Sequence, residues 1–172
     1  MKEVLKKISI SAIKLSKDTF TSDQVKTAWL GTNAVSTTDV NDAEIRLGVK
    51  LPEDYKEFLL TTNGFFTPTD TTESTFETID KIDYLKNVDE YLIEIWSQDE
   101  LAEVGRELSR SILIAGLNDE QYFLLVPPNA DNLNWKYLKF ANGIPGIHSY
   151  NDLESYFTSV LDLLKQLSND SQ

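Results

Sequence analysis

The spacing of apolar and polar positions divides the chain into a helical first half and a strand-rich second half. Val4, Leu5, Ile8, Ala12 and Leu15 recur at helical intervals, although Ile8 to Ala12 also alternates as a strand would. Thr21 and Gln24 have the spacing of a capping box ahead of Val25, Ala28 and Trp29, and Gly31 is placed to end that short helix. Ser36 or Thr37 caps the next one, where Asp39 in the first turn complements the helix dipole, Val40, Ala43 and Leu47 form the apolar face, and Gly48 follows as a stop. The clearest segment comes next. Pro52 suits a first helical position, Glu53 and Asp54 fill the first turn, and Tyr55, Phe58, Leu59 and Thr62 form one stripe that Asn63-Gly64 terminates.

Beyond it, residues 67–75 combine threonines with Pro68 and Asp70 and read as a loop. Residues 79–105 are open between two patterns. Leu85, Val88, Leu92 and Ile95 keep helical spacing, whereas Tyr91, Ile93 and Ile95 alternate. Three strands then follow at Ser111 to Ala115, Tyr122 to Val126 and Trp135 to Phe140, separated by turn residues at Asn118-Asp119-Glu120 and Pro127-Pro128-Asn129. Asn142-Gly143 and Pro145-Gly146 end this antiparallel meander. Ser149 or Asn151 caps a last helix whose apolar face is Leu153, Phe157, Val160, Leu161, Leu164 and Leu167. Helices, then consecutive strands, then a helix is an α+β arrangement.

Composition narrows the class. The 172 residues fit one domain, with residues 1–20 as a possible N-terminal helical extension. A hydrophobic fraction of 41% supplies a real core. The absence of cysteine excludes disulfides, thiolate metal sites and a cysteine nucleophile. Apolar runs are too short for a membrane span, and lysines at 6, 7 and 14 interrupt any secretory signal, so the expected location is the cytoplasm.

Charge changes the picture further. The net charge is −12 and unevenly placed: residues 1–30 carry six lysines against three acids, and residues 70–107 carry twelve acids against Lys81, Lys86 and Arg106. Such a chain is a poor match for nucleic acid and a better one for a basic protein; no membrane partner is expected either, given the short apolar runs. The acidic stretch reads either as a solvated face or as an electrostatic docking surface centred on Asp89, Glu90, Glu94, Asp99, Glu100 and Glu103. A sheet face near Trp135 and Tyr137 is the second candidate contact.

Residues 39–64 also resemble a known signature, that of the SUKH superfamily: a Glu-bearing helix ending in Leu-Gly, then Leu-Pro, Asp-Tyr, Phe-Leu and Asn-Gly. Glu44, Leu47, Gly48, Leu51, Pro52, Tyr55, Phe58, Leu59, Asn63 and Gly64 all match it. Trp29-Leu30-Gly31 upstream, and Trp135, Gly143 and Tyr150 downstream, extend the likeness. The resemblance implies an α+β fold with N-terminal helices, a mostly antiparallel central sheet and a C-terminal helix. It also implies protein binding without catalysis. Bacterial members act as immunity proteins against toxins of their own lineage, often nucleases, and fungal relatives regulate cell-wall synthesis. The expected partner is therefore a cognate toxin, in particular a basic nuclease-type domain, and the alternative is a regulatory scaffold. The signature residues themselves read as helix ends and core.

Other chemistry finds little support. A Ser-His-Asp triad or a zinc site would have to use His148, the only histidine. Oxygen-rich loops at 118–120 and 129–132 lack calcium-loop spacing and are explained as turns. Trp96, Trp135, Tyr137, Tyr150 and Tyr156 read as packing residues before they read as a cleft. A hydrolase working through a carboxylate pair is a remote alternative, since no pair is singled out. No cofactor and no metal is expected.

Overall fold

The computed structural model of the chain describes residues 1–66, 73–117, 119, 121–130, 132–141 and 147–170. The first part of the loop expected at 67–75 lies outside these residues, as do Asn118, Glu120, Asp131 and the 142–146 segment with Gly143.

Helix α1, Lys2–Leu15, settles the ambiguity at Ile8 to Ala12 in favour of helix. Leu5, Ile8 and Ala12 fall on one face and are buried, and the Ser9 hydroxyl inside that face accepts the Leu30 N–H at 3.2 Å. Helix α2, Ser22–Thr27, has the capping box expected of Thr21 and Gln24. It ends on Ala28, held at φ 50°, and not on Gly31, which instead bridges Phe65. Helix α3, Thr37–Leu47, starts from a reciprocal Ser36–Asp39 cap. Gly48 ends it at φ 67°, a conformation that disfavours side chains.

Helix α4, Glu53–Leu59, is shorter than its sequence pattern suggests. Pro52 is its extended N-cap residue, one position earlier than expected, and the helix closes at Leu60, before Asn63-Gly64. Thr62 is nevertheless buried. Its hydroxyl donates to the Gly64 carbonyl at 2.6 Å and accepts the Thr32 N–H at 2.8 Å, so this buried polar group is satisfied.

The second half opens with strand β1, Asp83–Tyr84, and helix α5, Leu85–Val88. Helix α6, Glu90–Ile95, a 3-10 turn at Asp99–Leu101, and helix α7, Ala102–Arg110, follow. The open choice at 79–105 therefore resolves to helix from Leu85 onward, broken into short pieces, with Asp83–Tyr84 before it as strand. Strands β2, Ile112–Ala115, β3, Gln121–Val126, β4, Lys136–Ala141, and β5, Ile147–Tyr150, complete one antiparallel sheet in the order β1-β2-β3-β4-β5. Helix α8, Leu153–Asp170, closes the chain. Its start is set by Asp152, whose Oδ1 accepts the Ser155 N–H at 2.7 Å, rather than by Ser149 or Asn151; Ser149 lies within β5.

The sheet is covered on both faces, which explains why β2 is buried along its whole length. Ile112, Ile114, Phe123, Leu125 and Tyr137 point into the larger core with α1, α3, α4 and α8. At its centre Phe58 stacks on Tyr55 and Phe157 and meets Phe76, with ring centroids 4.9–5.9 Å apart. Truncating such a ring in a packed core costs about 3–5 kcal/mol. The alternate residues Leu113, Leu124, Val126, Leu138 and Phe140 pack under Leu85, Leu92 and Leu108 of the α5–α7 layer. Trp96 closes that second core edge-on against Phe140, with centroids 5.0 Å apart.

Candidate functional site

The signature residues occupy the larger core and the turns that frame it. Leu47, Leu51, Tyr55, Phe58 and Leu59 are buried. Glu44 is buried as well, an unusual place for a carboxylate. It accepts the Leu51 N–H at 2.9 Å and the Lys50 ammonium at 2.5 Å, so it fastens the α3–α4 turn that passes through Gly48. Burial raises the pKa of this carboxyl, but the Lys50 and Leu51 hydrogen bonds and the charges of Lys50 and Lys56 outweigh it, and the net displacement is downward. Pro52 begins α4, and Asn63 accepts the Ile79 N–H at 2.7 Å, joining the end of the signature to the 73–82 segment. Gly64 accepts the Thr32 N–H.

Asp54, read from sequence as a first-turn acid and as the Asp of the signature's Asp-Tyr, does more. One of its oxygens accepts the Tyr137 hydroxyl at 2.8 Å and the other accepts the Leu153 N–H at 2.9 Å. It thereby ties α4 to β4 and to the N-terminus of α8, three elements whose distance in sequence hid the link. Glu73 is a second buried carboxylate, accepting the Tyr156 hydroxyl and the Lys139 ammonium, each at 2.7 Å. These partners hold both buried acids in structural roles.

The acids singled out between 89 and 103 all fall on the α5–α7 layer, and Asp89 and the four glutamates among them divide into two kinds. Asp89 is directed inward. It caps α6 by accepting the Leu92 N–H and accepts the Tyr122 hydroxyl, both at 3.0 Å. Burial and this carboxylate push the Tyr122 hydroxyl up to about 12. Glu90, Glu94, Glu100 and Glu103 are exposed, and Glu103 has only a loose 3.9 Å pairing with Arg106. Asp99 opens the 3-10 turn between α6 and α7. The layer thus turns a row of acids outward while its other side seals the sheet.

The second candidate contact does not survive as drawn. Tyr137 is 1% exposed, faces the larger core and spends its hydroxyl on Asp54, so it cannot form part of a surface. Burial first, then Asp54, drives its pKa strongly upward. Trp135 is half-buried against the same core. His148 is exposed on the edge strand β5, opposite Lys139. Trp96, Tyr150 and Tyr156 are packing residues.

A shallow groove of about 670 Å³ runs beside α7, lined in part by Arg106, Glu107, Arg110 and Lys136. Its charges are largely spent on each other: Glu107 pairs with both Arg110 and Lys136, and Arg110 also donates to the Pro127 carbonyl. Among the described residues, no group of three or more His, Asp or Glu side chains comes together as a metal site would need. No helix among them is long and apolar enough to cross a membrane.

An antiparallel meander sealed by helices on both faces, with the Leu-Gly, Leu-Pro and Asn-Gly turns framing the larger core, defines an α+β protein of SUKH type. The chain belongs to the SMI1 / KNR4 family (SUKH-1), whose model matches residues 34–164. The match begins after α2, although the buried face of α1 belongs to the same core as the matched helices. No curated protein matches the chain.

Proposed function

We propose that this chain is a non-enzymatic protein-binding module that neutralises a toxin made by its own lineage. The observation that carries the reading is the outward acidic row on α6 and α7 in a member of the SMI1 / KNR4 family. A toxin domain that works on nucleic acid is basic where it meets phosphate, and an acidic cover over that surface excludes the substrate without any chemistry of its own. The engagement of Glu44 and Glu73 with Lys50, Lys139 and Tyr156 supports a structural use of the buried carboxylates over a hydrolytic one. The location that goes with this role is the cytoplasm, where the toxin would otherwise act.

The test is co-expression. The protein encoded beside this chain's gene is induced alone and together with it. The proposal expects arrested growth in the first case, survival in the second, and a complex that co-purifies. A neighbour that is harmless alone yet binds tightly would favour the regulatory-scaffold reading. A toxic neighbour that this chain neither binds nor silences would refute the proposal.

A further inference from the structure

The outward side of the α5–α7 layer is apolar as well as acidic. Among the described residues, nine large hydrophobic side chains are exposed, and four of them, Val88, Tyr91, Ile95 and Leu101, fall within this one layer. Tyr91 is 72% exposed and Ile95 42%. They lie one turn apart on α6, and Glu90 and Glu94 form a second row beside them at the same spacing. Leu92 on the same helix is buried and Trp96 at its end packs on Phe140, so α6 already has an inner face without Tyr91 or Ile95. The fold does not need these two side chains outside; a helix serving only to seal the sheet would carry polar residues there.

We infer that Tyr91 and Ile95 are the apolar anchors of a docking surface for a basic protein, with Glu90, Glu94, Glu100 and Glu103 as its charged rim. The inference rests on the binding role proposed above and places that role on one helix. Exposed aromatic and aliphatic anchors ringed by charges have the anatomy of a protein interface, where a few buried side chains supply affinity and the rim supplies orientation. Charge selects the occupant. Residues 85–103 hold six acids against Lys86 alone. Two copies of this chain meeting face to face would set like charges against each other, as would an anionic lipid surface. A partner with a shallow apolar recess bordered by Lys and Arg meets both rows at once.

The test uses the purified product of the adjacent gene, disabled in its active site, as the probe. Its affinity is measured by calorimetry for the full chain and for Tyr91→Ala, Ile95→Ala, Ile45→Ala and Leu133→Ala. Ile45 and Leu133 are the two most exposed apolar residues outside the layer and serve as controls. All four positions are exposed, and a thermal melt of each variant checks that the fold is kept. The expected result is a loss of at least about tenfold for Tyr91→Ala and for Ile95→Ala, with the controls unchanged. Binding by the wild-type chain with Tyr91→Ala and Ile95→Ala indistinguishable from it, or an equal loss in either control, overturns this surface and leaves the binding role standing. No binding by the wild-type chain removes both. Sedimentation of the chain alone adds one more arm: a homodimer that Tyr91→Ala dissociates would give the face to a second copy and overturn the inference.

Discussion

Acidic residues in this chain do two different jobs, and burial decides which. Glu44 is shielded from water and neutralised by Lys50 and the Leu51 N–H, whereas Glu90 and Glu94 are open to solvent. A carboxylate of the first kind stabilises the fold only while it is ionised. The pKa of Glu44 in the folded chain lies below its ordinary 4.5. Its contribution is therefore complete above that value and disappears as pH falls through the folded pKa. Glu44→Gln should destabilise the protein near neutral pH, and its deficit against wild type should shrink as pH falls below 4.5 and through the lowered folded pKa. Urea midpoints of both proteins across that range measure the effect. A deficit that stays constant with pH would mean that the carboxylate charge is not what fastens the turn.

At the scale of elements, the packing of α6 against α7 positions the proposed docking surface. Gly105 makes that packing possible: a Cβ there would fall 2.7 Å from both the Trp96 carbonyl oxygen and the Ser97 Cα. Those are backbone atoms and cannot swing aside. Gly105→Ala should cost about 1–3 kcal/mol by forcing the two helices apart, read as a fall in the urea midpoint. A variant as stable as wild type would contradict the close approach.

Elements with a strong local signal were legible before the structure. The capping box at Thr21, a cap at Ser36 or Thr37, the Gly48 stop, the α4 stripe and the three central strands all rest on residues near one another in sequence; that Ser36 is the cap, boxed with Asp39, came from the structure. Strands β1 and β5 were not legible. Asp83–Tyr84 is too short to alternate, and Ile147–Tyr150 owes its pairing to β4 rather than to its own pattern. The helix-or-strand ambiguity at 79–105 arose because α5, α6 and α7 are too short to establish a period, and their packing on the sheet decides the matter. Tyr137 was misplaced for a related reason. In a sheet covered on both faces, alternation tells which core a residue enters and does not mark a solvent side. The role of Asp54 was hidden because its partners stand 83 and 99 residues away. Of the candidate surface, the acids were visible in the sequence, but the separation of inward Asp89 from outward Glu90 and Glu94 required the helix.

For the molecule as a whole, exposed acids and four of the nine exposed large apolar side chains among the described residues meet on the outer surface of α5–α7, while the opposite face of the sheet is committed to the core that the family signature builds. Charges at such a rim act mainly on encounter, drawing in a basic partner before the apolar anchors engage. Screening should therefore slow association and leave dissociation nearly unchanged. Surface plasmon resonance with the immobilised adjacent-gene product, at low and high salt, tests the account most directly. It predicts an association rate that falls as salt rises, and a drop of about tenfold at low salt for the Glu94→Lys, Glu100→Lys double variant, with its thermal melt unchanged. An association rate indifferent both to salt and to this reversal would contradict the account.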